Sequence, residues 1–431
     1  MDLFGYYRIQ QRWQTQQQQK DGDKRVAKSP LDLVLNIADL RAQARSRLPK
    51  GVFEFIERGS EDDVAVHNNR ASFDAYRLRP TVLQDVSQRT LATQILGKAS
   101  AMPLVMAPTG AAGIVWHDGE IAMAKAAAAA NIPFTLSTAS LTSIERIAAE
   151  APGRLWFQLY MWPDRSMSHE LVRRVQKAGF ETLMVTVDTT VAPNRECNVR
   201  NGFMLPFRPN RRNFVDIAMH PRWLTSVIGR YLATTGMPRF ENYPEALQQS
   251  LTAAPKGRSA LPKTDSLTWE DLRMLRKIWH GPLIVKGILH PEDARAAVQN
   301  GADGIIVSNH GGRNLDYSIP PLFALPEIID LVGARTQVLM DGGIMRGSDA
   351  IKALALGANA VLVGRAPLWG VAAAGQAGVQ RALAILGEEM LRVLGQLGRS
   401  TVSELGPDAL WTASQIKPLN TSKVPSLRAV S

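Results

Sequence analysis

The chain has 431 residues, with 50 Lys and Arg against 39 Asp and Glu, a formal net charge of +11 and 45% apolar residues. That apolar fraction supplies a sizeable core and excludes global disorder, and the single cysteine, Cys197, excludes a disulfide framework and a cysteine-based zinc site. The length fits two ordinary domains or one large α/β barrel with extensions.

The positive charge is concentrated in two segments. Residues 1–30 contain six basic and three acidic side chains, and residues 200–263 contain ten basic and three acidic side chains, so the rest of the chain is close to neutral. A protein that wraps nucleic acid more often spreads its basic residues over the folded face. The distribution therefore favours a lipid surface or a small anion over nucleic acid as the acidic partner.

The chain begins with a glutamine-rich segment. Seven of the ten residues in Gln10–Gln19 are glutamine, which is unlike the apolar run of a secretory signal. We therefore expect residues 1–30 to be a disordered leader, followed by one domain over residues 31–410 and a tail over residues 411–431. The longest uncharged windows contain Pro, Gly and many Ser or Thr, which argues against a membrane-spanning helix.

Residues 31–100 predict a helical and irregular cap, and from residue 103 onward short apolar runs alternate with amphipathic stretches. The apolar runs lack polar alternation, as is typical of parallel strands that are buried on both faces. The predicted strands are Pro103–Ala107, Phe134–Thr138, Leu155–Tyr160, Thr182–Asp188, Leu283–Gly287, Gly304–Asn309, Gln337–Gly342 and Ala360–Gly364. The predicted helices are Glu120–Ala130, Ser143–Glu150, Arg165–Ala178, Trp269–Trp279, Pro291–Asn300, Ala324–Val332 and Ser348–Leu356, with a helical tail over Gly370–Leu397.

Eight such strands with helical connections predict an α/β fold of the (β/α)8, or TIM-barrel, class. A doubly wound parallel sheet is the alternative, and the lack of a G-x-G-x-x-G motif after the first strand counts against it. Glycine directly follows three of the predicted helices, at Gly179, Gly301 and Gly357, which is typical of left-handed C-caps.

The predicted fourth strand is followed by an insert over residues 189–266, which is far longer than the roughly 2–6 residues of an ordinary connection. In a barrel this insert emerges at the carboxyl ends of the strands, where active sites lie. Its interleaved basic and aromatic side chains predict a membrane-binding segment, and a disordered loop with a solvated charge run is the alternative. These side chains are Arg208, Arg211, Arg212, Arg222, Arg230, Phe203, Phe207, Phe214, Trp223 and Tyr231.

Polar residues lie at or just after the carboxyl end of every predicted strand. Because these ends meet at one face of a barrel, we expect the residues to form one active site. They are Thr109, Gly110, Ser137, Gln158, Tyr160, Thr186, Asp188, Lys286, Ser308, Asn309, His310, Asp341, Gly342, Gly343, Gly364 and Arg365.

The last two strand ends predict a phosphate site, since barrels commonly hold a phosphate at that position. Glycines in Asp341–Gly343 and at Gly364 allow backbone N–H groups to approach the phosphate, and Arg365 supplies a charge-assisted hydrogen bond. Lys286, at the end of the fifth strand, adds a positive charge that would stabilise a reduced, anionic cofactor ring.

A second cluster predicts acid–base chemistry on a small carboxylate. His310 is the natural proton acceptor, and Asp188 can orient its ring and stabilise the imidazolium. Arg313 and Arg195 can each bind a carboxylate in two-point fashion. Together with Tyr160, these residues describe a site for a small carboxylate that carries a group to be deprotonated or oxidised.

Over about residues 31–405 the chain resembles the FMN-dependent α-hydroxy-acid dehydrogenases and oxidases. The most specific shared segment is Ser308–Arg313, followed by Leu315-Asp316. Other matching stretches are Leu48-Pro49-Lys50, Met106–Gly110, Trp156–Tyr160, Thr186–Asp188, Leu283–Gly287 and Asp341–Gly343. The stretches that are most similar to the mandelate dehydrogenase branch of the family are Ile132-Pro133-Phe134, Leu136–Ser140 and His220–Trp223.

The resemblance implies an FMN-binding barrel that oxidises an (S)-2-hydroxy acid, aryl or bulky as in the mandelate branch, to the 2-oxo acid. It implies that His310 is the base, oriented by Asp188, and that Tyr160 binds the substrate hydroxyl. The residues implied at the substrate carboxylate are Arg195 and Arg313, with position 55 beside them. The residues implied along the flavin are Pro108, Thr109, Gly110, Ser137, Gln158, Thr186, Ser308 and Lys286, the last stabilising reduced FMN near N1. The residues implied at the ribityl and phosphate end are Asp341, Gly342, Gly343, Gly364 and Arg365.

The mandelate branch further implies where the enzyme works and what it contacts. It implies a cytoplasmic enzyme that is peripherally associated with the inner membrane through the insert, with electrons passing to a quinone-type membrane acceptor rather than to oxygen. It also implies a homo-oligomer, a tetramer by family resemblance. Gly110 and Ala139, which are smaller than their counterparts in glycolate oxidase, imply a roomier substrate pocket.

Three departures from the family pattern leave the substrate open. Phe55 stands where the family usually has a tyrosine that contacts the substrate carboxylate, and such a lost hydrogen bond costs roughly 1.5–3 kcal/mol. Met345 replaces the first arginine of the family's D-G-G-x-R-R pattern, and Pro193 replaces a glycine two residues before Arg195. The alternatives are oxidation of lactate- or glycolate-type acids, oxidation of an amine or peptide-derived substrate as in pre-mycofactocin synthases, and a flavin-fold binding protein without activity.

Overall fold

The computed structural model describes residues 30–203, 211–244, 248 and 265–412. The chain divides into two units, Met1–Leu35 and Asn36–Ser431, and the first contains the 3-10 turn Pro30–Leu33. The rest of the predicted leader, Phe207 and Arg208 of the insert, and residues 413–431 of the predicted tail lie outside the described residues. The expectations for those segments stay predictions.

Within the described residues of the second unit, eight parallel strands close into a barrel in chain order. The predicted (β/α)8 fold is confirmed, and the doubly wound alternative is wrong because the last strand pairs with the first, with Val361 opposite Leu104. The strands β1 to β8 are Leu104–Met106, Phe134–Ser137, Leu155–Leu159, Thr182–Thr186, Leu283–Ile288, Gly304–Val307, Gln337–Met340 and Ala360–Val363.

A helix follows each barrel strand along the chain. The helices α1 to α8 are Gly119–Ala129, Ile144–Glu150, Arg165–Lys177, Trp269–Ile278, Pro291–Gln299, Pro321–Val332, Gly347–Ala355 and Arg365–Gln396. Helix α6 begins three residues before the predicted start because Pro320 and Pro321 open it, and proline is favoured in a first helical turn. The glycines after α3, α5 and α7 have φ angles of 82°, 92° and 104°, so the predicted left-handed caps are confirmed.

Helix α8 contains a break in its middle. Ala374 and Gly375 depart from helical geometry, so the predicted helical tail Gly370–Leu397 is interrupted near its start, and its first residues belong to the helix that follows β8. Gly375 has a φ of 60°, and a Cβ there would lie 2.7 Å from the ring of Trp116. Only glycine therefore allows the chain to turn at this position against Trp116.

The barrel interior is filled by apolar side chains from most of the strands, with Trp156 as the largest. The indole N–H of Trp156 donates to Glu181 Oε1 at 2.8 Å, so its one polar group is satisfied. Truncating such a residue to alanine costs about 3–5 kcal/mol of stability. The hairpin Thr93–Ile95 with Lys98–Ser100 adds Ile95 to the same cluster and so closes the amino-terminal end of the barrel.

The predicted helical cap consists of the helices Ile37–Arg47, Lys50–Glu57 and Val64–Ala71. The first begins with a capping box between Asn36 and Asp39. Asp316, which follows β6, accepts hydrogen bonds from the backbone N–H groups of the third helix's first turn, at 2.7 Å from that of Ala65. This contact holds the cap against the carboxyl ends of the strands, where the site lies.

The described part of the insert after β4 contains five short helical segments. Its elements are Glu196–Arg200, Arg211–Ala218, Pro221–Trp223, a π-helical turn Leu224–Gly229 and Arg230–Thr234. The alternative of a disordered loop is therefore wrong for residues 211–234.

The aromatic side chains of the insert do not share one environment. Phe203, Trp223 and Tyr231 are buried, so the interpretation that they face lipid is wrong, whereas Phe214 is 72% exposed. The indole N–H of Trp223 donates to the Ile114 carbonyl at 2.8 Å, which binds the insert to the loop after β1. Within the described part of the chain, no helix is both long and apolar enough to cross a membrane.

Candidate active site

The carboxyl ends of the barrel strands surround a cavity of about 570 Å³, within the roughly 300–1,000 Å³ that is typical of small-molecule sites. The sequence-predicted residues that line it are Phe55, Pro108, Thr109, Gly110, Ser137, Tyr160, Thr186, Arg195, Lys286, His310, Arg313, Asp341, Gly342, Gly343, Gly364 and Arg365. Gln158, Asp188 and Ser308 lie behind the lining, and each is hydrogen-bonded to a residue that lines it. The structure therefore brings all of these residues together.

His310 lies between a carboxylate and a phenol. Its Nδ1 is 3.0 Å from Asp188 Oδ1 and its Nε2 is 3.3 Å from the hydroxyl of Tyr160. Because an ionised carboxylate can only accept, the proton of the imidazole belongs on Nδ1, and Nε2 carries the free lone pair. A Cβ on Gly287 would lie 2.6 Å from Asp188, so glycine at φ 108° is what allows β5 to pass beside this carboxylate.

The protonation states of this trio suit proton abstraction. Burial lowers the pKa of His310 below its ordinary value and, together with the charges of Lys286 and Arg195, outweighs the opposing effect of Asp188. Burial would raise the pKa of Asp188, but His310 and Lys286 bring it below its ordinary value, so the carboxylate stays ionised. Burial and the charge of Asp188 raise the pKa of Tyr160, which keeps its hydroxyl protonated. At neutral pH, Nε2 of His310 is therefore an unprotonated base.

Two guanidinium groups lie beside this base. Arg195 donates from Nε and Nη2 to the Arg313 carbonyl at 3.3 and 3.2 Å, and Arg313 donates from Nη1 to the Arg58 carbonyl at 2.6 Å. Burial, with Arg195 and Arg365 nearby, lowers the pKa of Arg313 well below its ordinary value. Among the described residues, neither Arg195 nor Arg313 forms an ion pair with a carboxylate. Uncompensated buried cations are costly, so this corner of the cavity is suited to an anion.

A third arginine lies directly after the end of β8, in the predicted phosphate site. Arg365 donates from Nε to the Glu57 carbonyl at 3.0 Å and from Nη1 to the Gly311 carbonyl at 2.9 Å. Its Nη2 and the Oδ1 of Asp341 are both buried and have no hydrogen-bond partner among the described residues. Buried polar atoms are normally paired, so these two atoms are left for a ligand. An arginine N–H and glycines with positive φ at positions 342 and 343 fit a phosphate group.

The part of the cavity wall that is formed by β2 to β6 is polar and ordered. Ser137 Oγ donates to Gln158 Oε1 at 2.9 Å, between residues that are in register on β2 and β3. Gln158 Nε2 donates to Thr186 Oγ1 at 3.0 Å on the neighbouring strand β4. Lys286 Nζ donates to Ser308 Oγ at 2.9 Å.

Lys286 also forms an ion pair of 3.0 Å with Asp341 Oδ2. Burial would lower the pKa of Lys286, but Asp341 and Asp188 raise it above its ordinary value, so the ammonium charge is fixed. An elongated cofactor with a hydrogen-bonding ring at one end and a phosphate at the other, as in FMN, fits this donor set.

The departures from the family pattern have clear structural consequences. The Phe55 ring lies 5.6 Å from the Arg313 guanidinium carbon, so it covers that charge by a cation–π contact and offers no hydrogen bond. Met345 lines the cavity, whereas Arg346 forms an ion pair of 2.9 Å with Glu389 and is not among the lining residues. Arg346 therefore does not replace the missing arginine of the phosphate site.

Sequence reasoning missed an aromatic part of the cavity wall. Trp162, Phe240 and Tyr243 line the cavity, and the last two belong to the insert. No sequence motif identifies these residues. The one indication in the sequence was that the insert emerges at the face of the barrel where the site lies, so its residues could line the cavity. Sequence reasoning also missed Asn69 of the cap, whose amide exchanges two hydrogen bonds of 2.7 Å with that of Asn309.

Comparisons with known proteins agree with this geometry. Residues 44–412 match the profile of the FMN-dependent dehydrogenase family. The chain is 42% identical to (S)-mandelate dehydrogenase of Pseudomonas putida over 380 residues, which cover 88% of this chain and 94% of the relative. It is 40% identical to a putative L-lactate dehydrogenase of Mycobacterium tuberculosis over 396 residues, which cover 91% of this chain and 93% of the relative.

Solved structures show the same similarity. The crystal structure of the monotopic membrane protein (S)-mandelate dehydrogenase matches with a TM-score of 0.83 and 41% identity, covering 88% of this chain and 100% of that one. A mandelate oxidase bound to 3,3-difluoro-2-hydroxy-3-phenylpropionic acid matches with a TM-score of 0.73 and 36% identity, covering 88% and 99%. The chain therefore belongs to the FMN-dependent dehydrogenase family and is an FMN-dependent oxidoreductase that acts on 2-hydroxy acids.

Proposed function

We propose that the protein oxidises an (S)-2-hydroxy acid with an aryl or other bulky substituent to the 2-oxo acid and passes the electrons to a quinone-type membrane acceptor. The observation that carries the proposal is His310 held between Asp188 and Tyr160, beside the half-buried guanidiniums of Arg195 and Arg313. This arrangement can bind a carboxylate and receive a proton within one small space. The similarity to mandelate and lactate dehydrogenases supports a 2-hydroxy acid as the substrate.

Each residue of the substrate end has a distinct role in this proposal. Arg195 and Arg313 bind the carboxylate and so fix the α-carbon beside His310. Tyr160 donates a hydrogen bond to the substrate hydroxyl oxygen. His310 accepts one proton from the substrate at Nε2, and Asp188 stabilises the imidazolium that results.

We assign the remaining predicted residues to the cofactor. When bound, FMN would supply the acceptor for the two electrons and the second hydrogen that the hydroxy acid loses. Arg365 with Asp341–Gly343 and Gly364 would hold its phosphate end, and Lys286 would stabilise negative charge on the reduced ring. The residues proposed along the ring are Pro108, Thr109, Gly110, Ser137, Gln158, Thr186 and Ser308.

The size of the substrate follows from two small residues. Gly110 and Ala139 both line the cavity, and a Cβ on Gly110 would lie 3.3 Å from that of Ala139. Two larger side chains could not lie side by side there, so this pair keeps space open for an α-substituent. The similarity to mandelate dehydrogenase and mandelate oxidase supports an aryl group in that space.

The insert has the chemistry of a membrane-binding surface. Its exposed apolar side chains are Phe214, Val215, Met219, Leu224 and Leu232. Its exposed basic side chains include Arg211, Arg222 and Arg230. Apolar side chains that enter the interface, together with arginines that contact anionic headgroups, favour peripheral binding to a bilayer. The similarity to a monotopic membrane protein supports this proposal.

The substrate proposal is tested by an anaerobic flavin-reduction screen of the holoenzyme. The panel contains glycolate, (S)-lactate, (S)-mandelate, (R)-mandelate and the amino analogue of mandelate, phenylglycine. We expect (S)-mandelate to bleach the flavin with the highest kcat/KM, at least tenfold above lactate. Faster reduction by lactate or glycolate would show that the substrate is a small hydroxy acid and not an aryl one. Reduction by phenylglycine alone would show that the enzyme oxidises an amine.

The membrane proposal is tested by flotation with phosphatidylglycerol vesicles. A triple variant with serine at Phe214, Val215 and Met219 should lose vesicle binding and keep its flavin bleaching. The matched control carries serine at Val82 and Leu83, which are at least as exposed but lie outside the insert, and it should bind as the wild type does. Unchanged flotation of the triple variant would show that the insert does not hold the protein on the bilayer.

A further inference from the structure

We propose that Tyr243, with Phe240 and Trp162, forms the wall that selects the aryl group of the substrate, and that the Tyr243 hydroxyl binds a hydrogen-bonding group on that ring. The inference rests on the proposed function and narrows its substrate class. The preferred substrate is an aryl 2-hydroxy acid whose ring carries a hydroxyl or a similar polar substituent.

The three aromatic side chains form one ordered surface in the cavity. The rings of Phe240 and Tyr243 are stacked, with centroids 5.1 Å apart and planes 21° apart. The Trp162 ring meets Tyr243 edge-on, with centroids 5.7 Å apart and planes 80° apart. All three residues are buried and line the cavity. Because they already pack against each other, an aryl group can contact them with little loss of side-chain freedom.

This wall lies on the side of the cavity where Gly110 and Ala139 leave space. The backbone N–H of Glu241 donates to the Ser140 carbonyl at 3.2 Å. The Asn242 side-chain oxygen accepts from the backbone N–H of Ile144 at 3.0 Å. Glu241 and Asn242 thus bind the insert along the loop after β2 that carries Ala139, and the two aromatic residues that flank them lie beside it.

The hydroxyl of Tyr243 is a polar group on this aromatic wall. Tyr243 is 6% exposed, and its hydroxyl has no hydrogen-bond partner among the described residues. Tyr160 is the other tyrosine that lines the cavity, and its hydroxyl is hydrogen-bonded to His310 Nε2. A neutral tyrosine hydroxyl can both donate and accept, so a ring substituent of either kind can form a hydrogen bond with it. Burial raises the pKa of Tyr243, which keeps the hydroxyl neutral and able to do both.

The test compares Tyr243→Phe with wild type on two substrates. The holoenzymes are mixed anaerobically with (S)-4-hydroxymandelate or (S)-mandelate, and kcat/KM for flavin reduction is measured for each. We expect the wild type to prefer the hydroxylated acid, and Tyr243→Phe to lower that preference roughly 3- to 10-fold, as the loss of one hydrogen bond does. Because phenylalanine keeps the ring, the ratio of the two kcat/KM values isolates the contribution of the hydroxyl.

Two further variants separate the inference from a general structural effect. Tyr231→Phe removes a hydroxyl from another buried tyrosine of the insert, which accepts from the Asp118 N–H at 3.2 Å and does not line the cavity, so it should leave the substrate preference unchanged. Phe240→Ala should lower kcat/KM for mandelate relative to lactate. An unchanged preference in Tyr243→Phe, or an unchanged mandelate-to-lactate ratio in Phe240→Ala, would overturn the inference while the proposed function stands. If no 2-hydroxy acid bleaches the wild-type flavin, the proposed function fails and the inference fails with it.

Discussion

Replacing Asp188 with asparagine tests how the carboxylate supports His310. The change keeps the size of the side chain and removes its charge, so the imidazolium that forms during catalysis loses its counter-ion. In the structure both carboxylate oxygens are close to His310 Nδ1, at 3.0 and 3.2 Å. The variant should therefore bind FMN normally and reduce it slowly.

The expected loss can be worked from this geometry. Each charge is spread over its group, so the charge centres lie about 4 Å apart, where two unit charges attract by roughly 4 kcal/mol at an effective dielectric constant near 20. Each 1.4 kcal/mol or so of barrier corresponds to a factor of about ten in rate. If the imidazolium is fully formed in the transition state, Asp188→Asn slows flavin reduction about 10³-fold.

The assay is anaerobic stopped-flow loss of oxidised-flavin absorbance after mixing with (S)-mandelate. Asp271→Asn is the matched control, because Asp271 forms an ion pair of 2.6 Å with Arg165 and does not line the cavity. Asp188 raises the pKa of His310, so in Asp188→Asn that pKa falls further, and His310 is already unprotonated at neutral pH. Raising the pH should therefore not restore the rate. A slowdown below tenfold, or recovery at high pH, would refute the reasoning.

Three further predictions concern the rest of the site. Phe55→Tyr adds a hydroxyl beside the substrate carboxylate, and since a hydrogen bond to a charged group contributes roughly 1.5–3 kcal/mol, KM for mandelate in steady-state assays should fall about tenfold or more. Met345→Arg places a second guanidinium near the phosphate site of Arg365, so the Kd of FMN, measured by quenching of flavin fluorescence, should fall about tenfold; an equal or higher Kd would contradict the assignment. Because burial lowers the pKa of His310, the rate of flavin reduction should decline as the pH falls through a midpoint below the ordinary value of about 6.5. A midpoint above 7 would contradict an unprotonated resting base.

The barrel and most of its site could be predicted from the sequence because the signals are local. A buried parallel strand is a short apolar run, and the residue that ends it, such as Lys286 or His310, is polar against that background. Strand order in a (β/α)8 barrel follows chain order, so the ends meet without any knowledge of long-range contacts. The phosphate-end residues, such as Arg365, were found by the same reasoning.

The contributions of the insert could not be predicted, because they depend on contacts between segments that are far apart in the chain. Basic and aromatic composition indicates a lipid surface, but it does not tell an exposed ring such as Phe214 from a buried one such as Trp223. The position of Tyr243 depends on the backbone contact of its neighbour Glu241 with Ser140, about a hundred residues earlier in the chain. The reciprocal amide hydrogen bonds of Asn69 with Asn309 likewise join segments that are far apart in the chain.

The most direct test of the central claim compares wild type with His310→Ala in an anaerobic titration with (S)-mandelate. We predict that (S)-mandelate bleaches the wild-type flavin and that the wild-type flavin stays yellow with (R)-mandelate. We predict that His310→Ala binds the same amount of FMN but stays yellow with either enantiomer, because no other described group in the cavity can take the substrate proton from the position of Nε2. Bleaching of His310→Ala at the wild-type rate would contradict the account.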